Sequence, residues 1–331
     1  MVEGKKSINL LRGLLYLSPA LILMAIFTFY PMFNTFIVSF KEDYNFLLVN
    51  RPDEQHFSGW GFANYLKIFQ EGSGERDLFF RCMANTFIIV FVSVPLSIIT
   101  SLLIAVALNS IKALQKFLQT VFFLPYVTNT IAIGMVFAVI FESNQGLANT
   151  VINALGGSSV RWLGGSGGIT LGESFLSASH PIFTPQWFTS MIVLMVYIVW
   201  NSLPFKVLIL LSALQGIDKQ YYQAAQIDGT SKTRIFTKIT VPLLSPQIFY
   251  LLITSFIGAF KEYTSVVAIF GQQAQPIGTQ NAMATMVWYI YDSMKSRNEV
   301  GVASAAAVVL FVIIMIFTAI NSYVSKKRVH Y

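Results

Sequence analysis

Apolar residues run along this chain in unbroken blocks separated by short polar stretches. Six blocks stand out, near Leu14–Phe40, Asn85–Leu108, Phe117–Phe141, Phe188–Leu211, Gln247–Phe270 and Gly301–Tyr323. Crossing a hydrocarbon layer of about 30 Å takes about 20 helical residues, because every backbone N–H and C=O must be bonded internally where water is absent. The blocks meet that length, so the pattern predicts an all-α integral membrane protein with about six transmembrane helices. The fifth block differs in quality. Lys261 and Glu262 interrupt its second half and predict a bend, an unwound turn or the wall of a wet cavity.

The polar stretches are unequal. Lys41 to Met83 is long and dotted with aromatic residues (Phe57, Trp60, Phe62, Tyr65), enough for a small cap on one face. Residues 109–116 form a tight connection. Residues 142–187 are long again, and their middle is rich enough in Gly and Ser to predict flexibility. No repeat of 20 to 50 residues is visible, which disfavours a carrier assembled from internal copies.

Charge fixes an orientation. With six spans both termini share a face, which carries Lys5, Lys6, Arg12, Lys112, Lys116, Lys219, Lys232, Arg234, Lys238, Lys326, Lys327 and Arg328 against Glu3, Asp218 and Asp228. Cations in short loops stay inside, so both termini are expected to be cytoplasmic. Composition agrees with the bilayer reading: 55% of the 331 residues are hydrophobic and 11% charged, and mean hydropathy is +0.62. The net charge of +7 expresses the loop bias, and no nucleic-acid partner is implied. Cys82, the single cysteine, excludes an internal disulfide, and no metal motif is present. The first block is too long for a signal peptide and contains Pro19 and Pro31, so it is expected to stay as an anchor.

The most informative polar stretch is 213–246. Ile217 to Gln226 predicts a short helix with Asp218 near its start, where a carboxylate offsets the positive helix dipole. Gly229 permits a sharp reversal, after which Thr230 or Ser231 can cap a second short helix. That helix puts Lys232, Arg234 and Lys238 on exposed flanks and Ile235, Phe236 and Ile239 inward, until Pro242 and Pro246 break it. The result is a stiff two-helix elbow.

Gln223-Ala224-Ala225-x-x-Asp228-Gly229-Thr230 followed by Ile239-x-Val241-Pro242 resembles the EAA loop of ATP-binding-cassette importer permeases, in particular the oligosaccharide and glycerol 3-phosphate type. The likeness runs nearly end to end, through Asn64-Tyr65, Asn85-Thr86, Phe122 to Pro125, Gly146 to Asn149, Trp162-Leu163, Trp200, Leu214 to Ile217, Phe260-Lys261 and Gly301 to Ala305. It implies the type I ABC importer permease fold in a bacterial inner membrane. It also implies these partners: a second permease subunit, two cytosolic ATP-binding subunits gripping Gln223, Ala224, Ala225, Asp228, Gly229 and Pro242, an extracytoplasmic solute-binding protein, and membrane lipid. Two departures stand out. Gln223 replaces a glutamate expected to meet a basic residue of the ATPase, which weakens that contact or shifts it to Asp228. The Gly/Ser-rich stretch within 156–180 is either a docking element or a tolerated insertion.

Counting about 1.5 Å per residue places Trp200, Asn201 and Ser255 near mid-bilayer. Asn201 shares a helix face with Phe205, and Ser255 with Ala259 and Glu262. An aromatic platform beside hydrogen-bonding groups suits a sugar ring, so Trp200, Asn201, Phe205, Ser255 and Glu262 are the candidate substrate path for a carbohydrate. The same residues can instead serve helix packing. No phosphate-binding GxxxxGK[ST] loop is present, so ATP hydrolysis is expected on another subunit, with no cofactor and no enzymatic role here. The contrasting reading is an ion- or proton-coupled secondary carrier using Lys206, Lys261 and Glu262 as relay. An intramembrane enzyme lacks paired catalytic groups, since His56, His180 and His330 all lie outside the blocks. The expected division is 1–84 as anchor helix and outer loop, 85–323 as permease core with its loop 213–246, and 324–331 as a basic tail.

Overall fold

The computed structural model describes residues 3–48, 56–111, 115–165, 168–178, 180, 182–276, 281–295 and 299–328. Its helices in chain order are α1 (Glu3–Met24), α2 (Tyr30–Ser39), α3 (Ala63–Phe69), α4 (Gly74–Ser110), α5 (Gln115–Val127), α6 (Thr130–Ile140), α7 (Leu147–Ala154), α8 (Pro185–Gln215), α9 (Lys219–Ile227), α10 (Lys232–Ile235), α11 (Val241–Leu243), α12 (Ser245–Phe260), α13 (Thr264–Phe270), α14 (Met286–Lys295) and α15 (Val300–Arg328). One antiparallel pair, β1 (Lys41–Glu42) with β2 (Gly59–Trp60), is present among the described residues. Within the anticipated tail, Val329, His330 and Tyr331 lie outside the description, as do residues 49–55 of the first long loop.

Four helical stretches are long and apolar enough to cross a bilayer: Gly13–Ser39, Gly74–Ser110, Pro185–Gln215 and Val300–Val324. Two bent pairs, Gln119–Val127 with Thr130–Ile140 and Lys232–Leu243 with Ser245–Phe260, raise the number to six if each counts as one span. The third block is therefore broken where a single helix was expected. Beyond Pro125 the Asn129 carboxamide accepts from Ile131 N (2.9 Å) and Ala132 N (3.3 Å), which starts α6 afresh. The second block begins earlier than Asn85, because the helix extends back to Gly74 through polar residues.

The fifth block also divides. α12 stops at Phe260, and α13 begins after Lys261, Glu262 and Tyr263. α13 packs on α6, with Gly134 facing Ala268 so closely that a side chain at Gly134 would overlap the alanine methyl.

The chain forms two compact units, residues 1–76 with 290–311, and residues 77–289 with 312–331. In the first, the Asn64 carboxamide donates to Ser39 O (3.0 Å) and Lys41 O (2.9 Å), and Tyr65 OH meets Ser39 Oγ at 2.9 Å. Gly301 lies so near that an added Cβ would stand 2.7 Å from Asn64 Nδ2. Lys41 covers the Phe57 ring at 4.9 Å, and Phe40 packs edge-on against Phe62. The first polar stretch is thus a folded cap, as its aromatic content anticipated.

In the second unit, Asn85 donates to Ala282 O (2.8 Å) and Ala284 O (2.9 Å) and accepts from Trp187 Nε1 (2.8 Å). Thr86 Oγ1 accepts from Met286 N (2.9 Å). These two residues tie α4 to the start of α8 and to the turn before α14. Phe87, Phe91, Phe260 and Phe317 fill the layer beneath, with Phe260 and Phe317 5.2 Å apart.

The polar connection after α6 is more ordered than its glycines suggested. Buried Asn149 donates to Ser143 O (2.7 Å) and Val160 O (2.8 Å), and its oxygen accepts from Val160 N and Trp162 Nε1, both at 3.0 Å. Arg161 N and Ile169 N close a short ladder onto Ile169 O and Ser159 O, both at 2.8 Å, and Leu171 N donates to Thr189 Oγ1 at 2.9 Å. Glycine content gave no sign of this, since the order comes from one buried carboxamide and backbone pairing. Residues 166, 167, 179 and 181 of this region lie outside the description.

Candidate coupling elbow and translocation path

The elbow forms between α8 and α12. Asp218 caps α9 by accepting from Gln220 N at 2.9 Å. At its other end Gly229 has φ +65°, Gly229 N donates to Gln226 O (3.1 Å), and Thr230 N donates to Ala225 O (2.9 Å). Together these bonds make a Schellman closure, which uses carbonyls that a helix end would otherwise leave unpaired. Gln223, Ala224, Asp228, Gly229 and Pro242 are exposed, while Ala225 is buried. Ile227 stands out at the tip, 87% exposed.

Lys232, Arg234 and Lys238 are exposed, and Ile235, Phe236 and Ile239 half-buried, as their spacing required. One expectation needs correction. Ser231 occupies the capping position of α10, but its side chain makes no capping bond. As expected, the helix breaks between Pro242 and Pro246, at Leu244. Residues Phe236–Thr240 widen into a π turn, with Val241 N bonded to Phe236 O, and the chain continues through α11 into α12 with a 66° bend. Proline lacks its N–H and presses on the carbonyl four residues back, and a widened turn relieves both problems. The first span repeats the device, with a π turn at Ala25–Phe29 ahead of Pro31.

Two contacts hold the elbow to the bundle. Tyr222 OH lies 3.3 Å from buried Thr240 Oγ1, stapling α9 to the π turn. Behind it, Ala105 and Leu108 of α4, Val207, Leu210, Leu211 and Leu214 of α8, and Leu244 and Leu251 around α12 form one buried core. The two ends of the elbow, Leu214 and Leu244, thus sit in one close-packed core, and such interiors transmit strain.

The path candidates lie further along the same helices. Trp200 is half-buried, 5.2 Å from the Phe137 ring, and lines a groove of about 590 Å³ between α4 and α8 with Val92, Leu96, Thr100, Met195 and Leu203. Phe205 stacks on Tyr126 at 5.8 Å and 16°. Asn201 and Ser255 are half-buried, and neither side chain has a hydrogen-bond partner among the described residues. An amide without a partner is costly in hydrocarbon, so both positions are suited to face a wet path.

Glu262 departs from the expected geometry. Because α12 ends at Phe260, it does not continue the face of Ser255 and Ala259. Its carboxylate accepts from Ser265 N at 3.0 Å, capping α13, and its carbonyl accepts from Thr285 Oγ1 at 2.6 Å. Lys261 is exposed at the end of α12, and Lys206 is buried with its ammonium donating to Ser97 and Ser202 hydroxyls. Lys206 and Glu262 thus have separate partners, and no ion pair joins Lys206, Lys261 and Glu262 among the described residues. Sequence reasoning missed Asn129, whose mid-span break is the clearest interruption of backbone pairing in the third block, and Tyr197, whose hydroxyl donates to Thr130 O beside it at 2.6 Å. An Asn two residues after a Tyr-Val pair offered only a weak capping signal.

Several apolar spans, two of them broken, together with an exposed elbow rooted in the bundle, give the architecture of a multi-span membrane transport component. Residues 75–330 match the family described as the binding-protein-dependent transport system inner membrane component, and the chain belongs to that family. It is similar to a probable ABC transporter permease of Mycoplasma genitalium, 31% identical over 89% of this chain and 79% of the relative. An arabinooligosaccharides transport system permease of Bacillus subtilis is 28% identical over 93% of this chain and 86% of its own length. Among solved structures, a bacterial alginate ABC transporter, in complex with a periplasmic protein bound to an alginate pentasaccharide, aligns with a TM-score of 0.74. It is 20% identical and covers 99% of this chain and 97% of its own, a likeness of fold.

Proposed function

We propose that this chain is one permease subunit of an ATP-driven ABC importer that moves a carbohydrate, an oligosaccharide in the leading reading, delivered by an extracytoplasmic solute-binding protein. Support for the carbohydrate comes from relatives named for arabinooligosaccharides, trehalose/maltose and lactose transport. It also comes from Trp200, Asn201 and Phe205 on α8 and Ser255 on α12, where neither Asn201 nor Ser255 has a side-chain hydrogen-bond partner among the described residues. In this reading both termini are cytoplasmic. A second permease subunit completes the cavity, and two ATPases grip the elbows at Gln223, Ala224, Ala225, Asp228, Gly229 and Pro242.

The observation that carries the reading is the closed, exposed turn at Gly229 joined to the leucine core by Tyr222 and Thr240. Closure of the ATPases draws the elbows together and favours the outward-facing cavity, and hydrolysis restores the inward-facing one. The test is uptake by the reconstituted transporter. Uptake should require internal ATP and the external binding protein, and gradient-driven uptake by this chain alone would reject the importer.

A further inference from the structure

We infer that α7 lies in the lipid interface on the face of the membrane opposite the elbow, with its apolar stripe sunk into the hydrocarbon boundary. The two sites are at opposite ends of α8, whose 31 residues rise about 1.5 Å each. α7 therefore belongs to the outer surface in the orientation proposed above.

The helix is inside-out by the standard of a soluble surface. Its buried position is a polar one, Asn149, with all its bonds turned toward the connection it organises. The opposite face carries Leu147, Thr150, Val151, Ala154 and Leu155, spaced i, i+3, i+4, i+7 and i+8, and all are exposed. Leu147, Val151 and Leu155 are 61%, 52% and 84% exposed. Thr150, the one polar member, spends its hydroxyl on Gly146 O at 3.1 Å, so the stripe offers no free side-chain donor. A helix that turns polar groups inward and apolar groups outward is built for an apolar surrounding.

Position and charge select lipid as the occupant. Only six residues separate Ile140, the end of α6, from Leu147. The exposed stripe of α6, Ile131, Met135 and Val139, continues toward it at i, i+4 and i+8. Between Glu142 and Arg161 the sequence has no charged residue. A face that docks and releases a soluble protein keeps a polar, charged rim, whereas a face in the headgroup boundary needs none. The anchored helix would hold the Asn149–Trp162 connection at a fixed height above the bilayer.

Cys82, the single cysteine, is buried, so an introduced cysteine can be labelled selectively. Leu155→Cys carrying an environment-sensitive fluorophore, in the assembled transporter in nanodiscs, should be quenched several-fold more by nitroxides near the headgroup end of lipid acyl chains than by aqueous iodide. Saturating solute-binding protein should not alter that ratio. Ser158→Cys, on the exposed turn beyond the helix, should show the reverse preference. Val151→Cys serves as a second reporter where Leu155→Cys assembles poorly. Quenching by iodide, protection by the binding protein, or shielding from both quenchers by the second permease would each overturn the assignment.

Discussion

At the scale of single residues, the polar side chains that looked like motif letters are mostly structural ties. Asn85 holds two carbonyls and an indole N–H, so Asn85→Ala should cost about 1–3 kcal/mol for each group left unpaired, seen as a lower unfolding midpoint in detergent. Asn201 and Ser255 differ in having bonds to spare. If they meet the solute, Asn201→Ala should lower transport about fivefold, the loss of one hydrogen bond of about 1 kcal/mol, while leaving the unfolding midpoint unchanged. Gly229 adopts φ +65° with open space around it. Gly229→Val should therefore uncouple ATP hydrolysis from uptake, and Gly229→Asn should retain coupling, because Asn tolerates that backbone. The motif spacing made Gly229 legible in the sequence. The role of Asn85 was not, since its partners lie almost two hundred residues away in the chain.

Glu142 adds a pH dependence at the same scale. Its carboxylate accepts backbone N–H groups from Gln145 and Asn144, which holds its pKa below the usual carboxylate range. A group with a lowered folded pKa contributes stability above its unfolded value, and that contribution disappears as pH falls through the folded value. Glu142→Gln should therefore lower stability near neutrality, converge on the parent protein at acid pH and so flatten the acid limb of stability against pH, measured by thermal denaturation.

At the scale of elements, long apolar blocks were readable because hydrocarbon leaves few alternatives to a helix. Breaks inside them were not. Apolar residues continue on both sides of Asn129, and a side chain bonding the neighbouring backbone marks the interruption. Lys261 and Glu262 did announce the second break, since ionised groups seldom sit in an unbroken span. The elbow's two short helices were visible from Asp218 and Gly229. The break beside Pro242 was visible too, but the π turn ahead of it was not, because a π turn leaves no residue-type signature. Its attachment makes a prediction: Leu251→Ala, emptying a fully buried site, should cost about 2–5 kcal/mol and loosen ATP coupling together.

At the scale of the whole molecule, the chain supplies spans and an elbow, and its family membership makes it one component of a larger transport system. Its charge distribution predicts which loops share a face, because cations resist translocation. The order of the connection after α6 escaped that kind of reading, since it depends on Asn149 finding partners across a glycine-rich segment.

The angle between the two limbs on either side of Leu244 has a mechanical consequence. Because Lys232–Leu243 meets Ser245–Phe260 at 66°, a thrust along the shorter limb resolves mostly across the longer one. α12 would then swing about Leu244 as a hinged beam and slide little along its own axis, carrying Ser255 sideways.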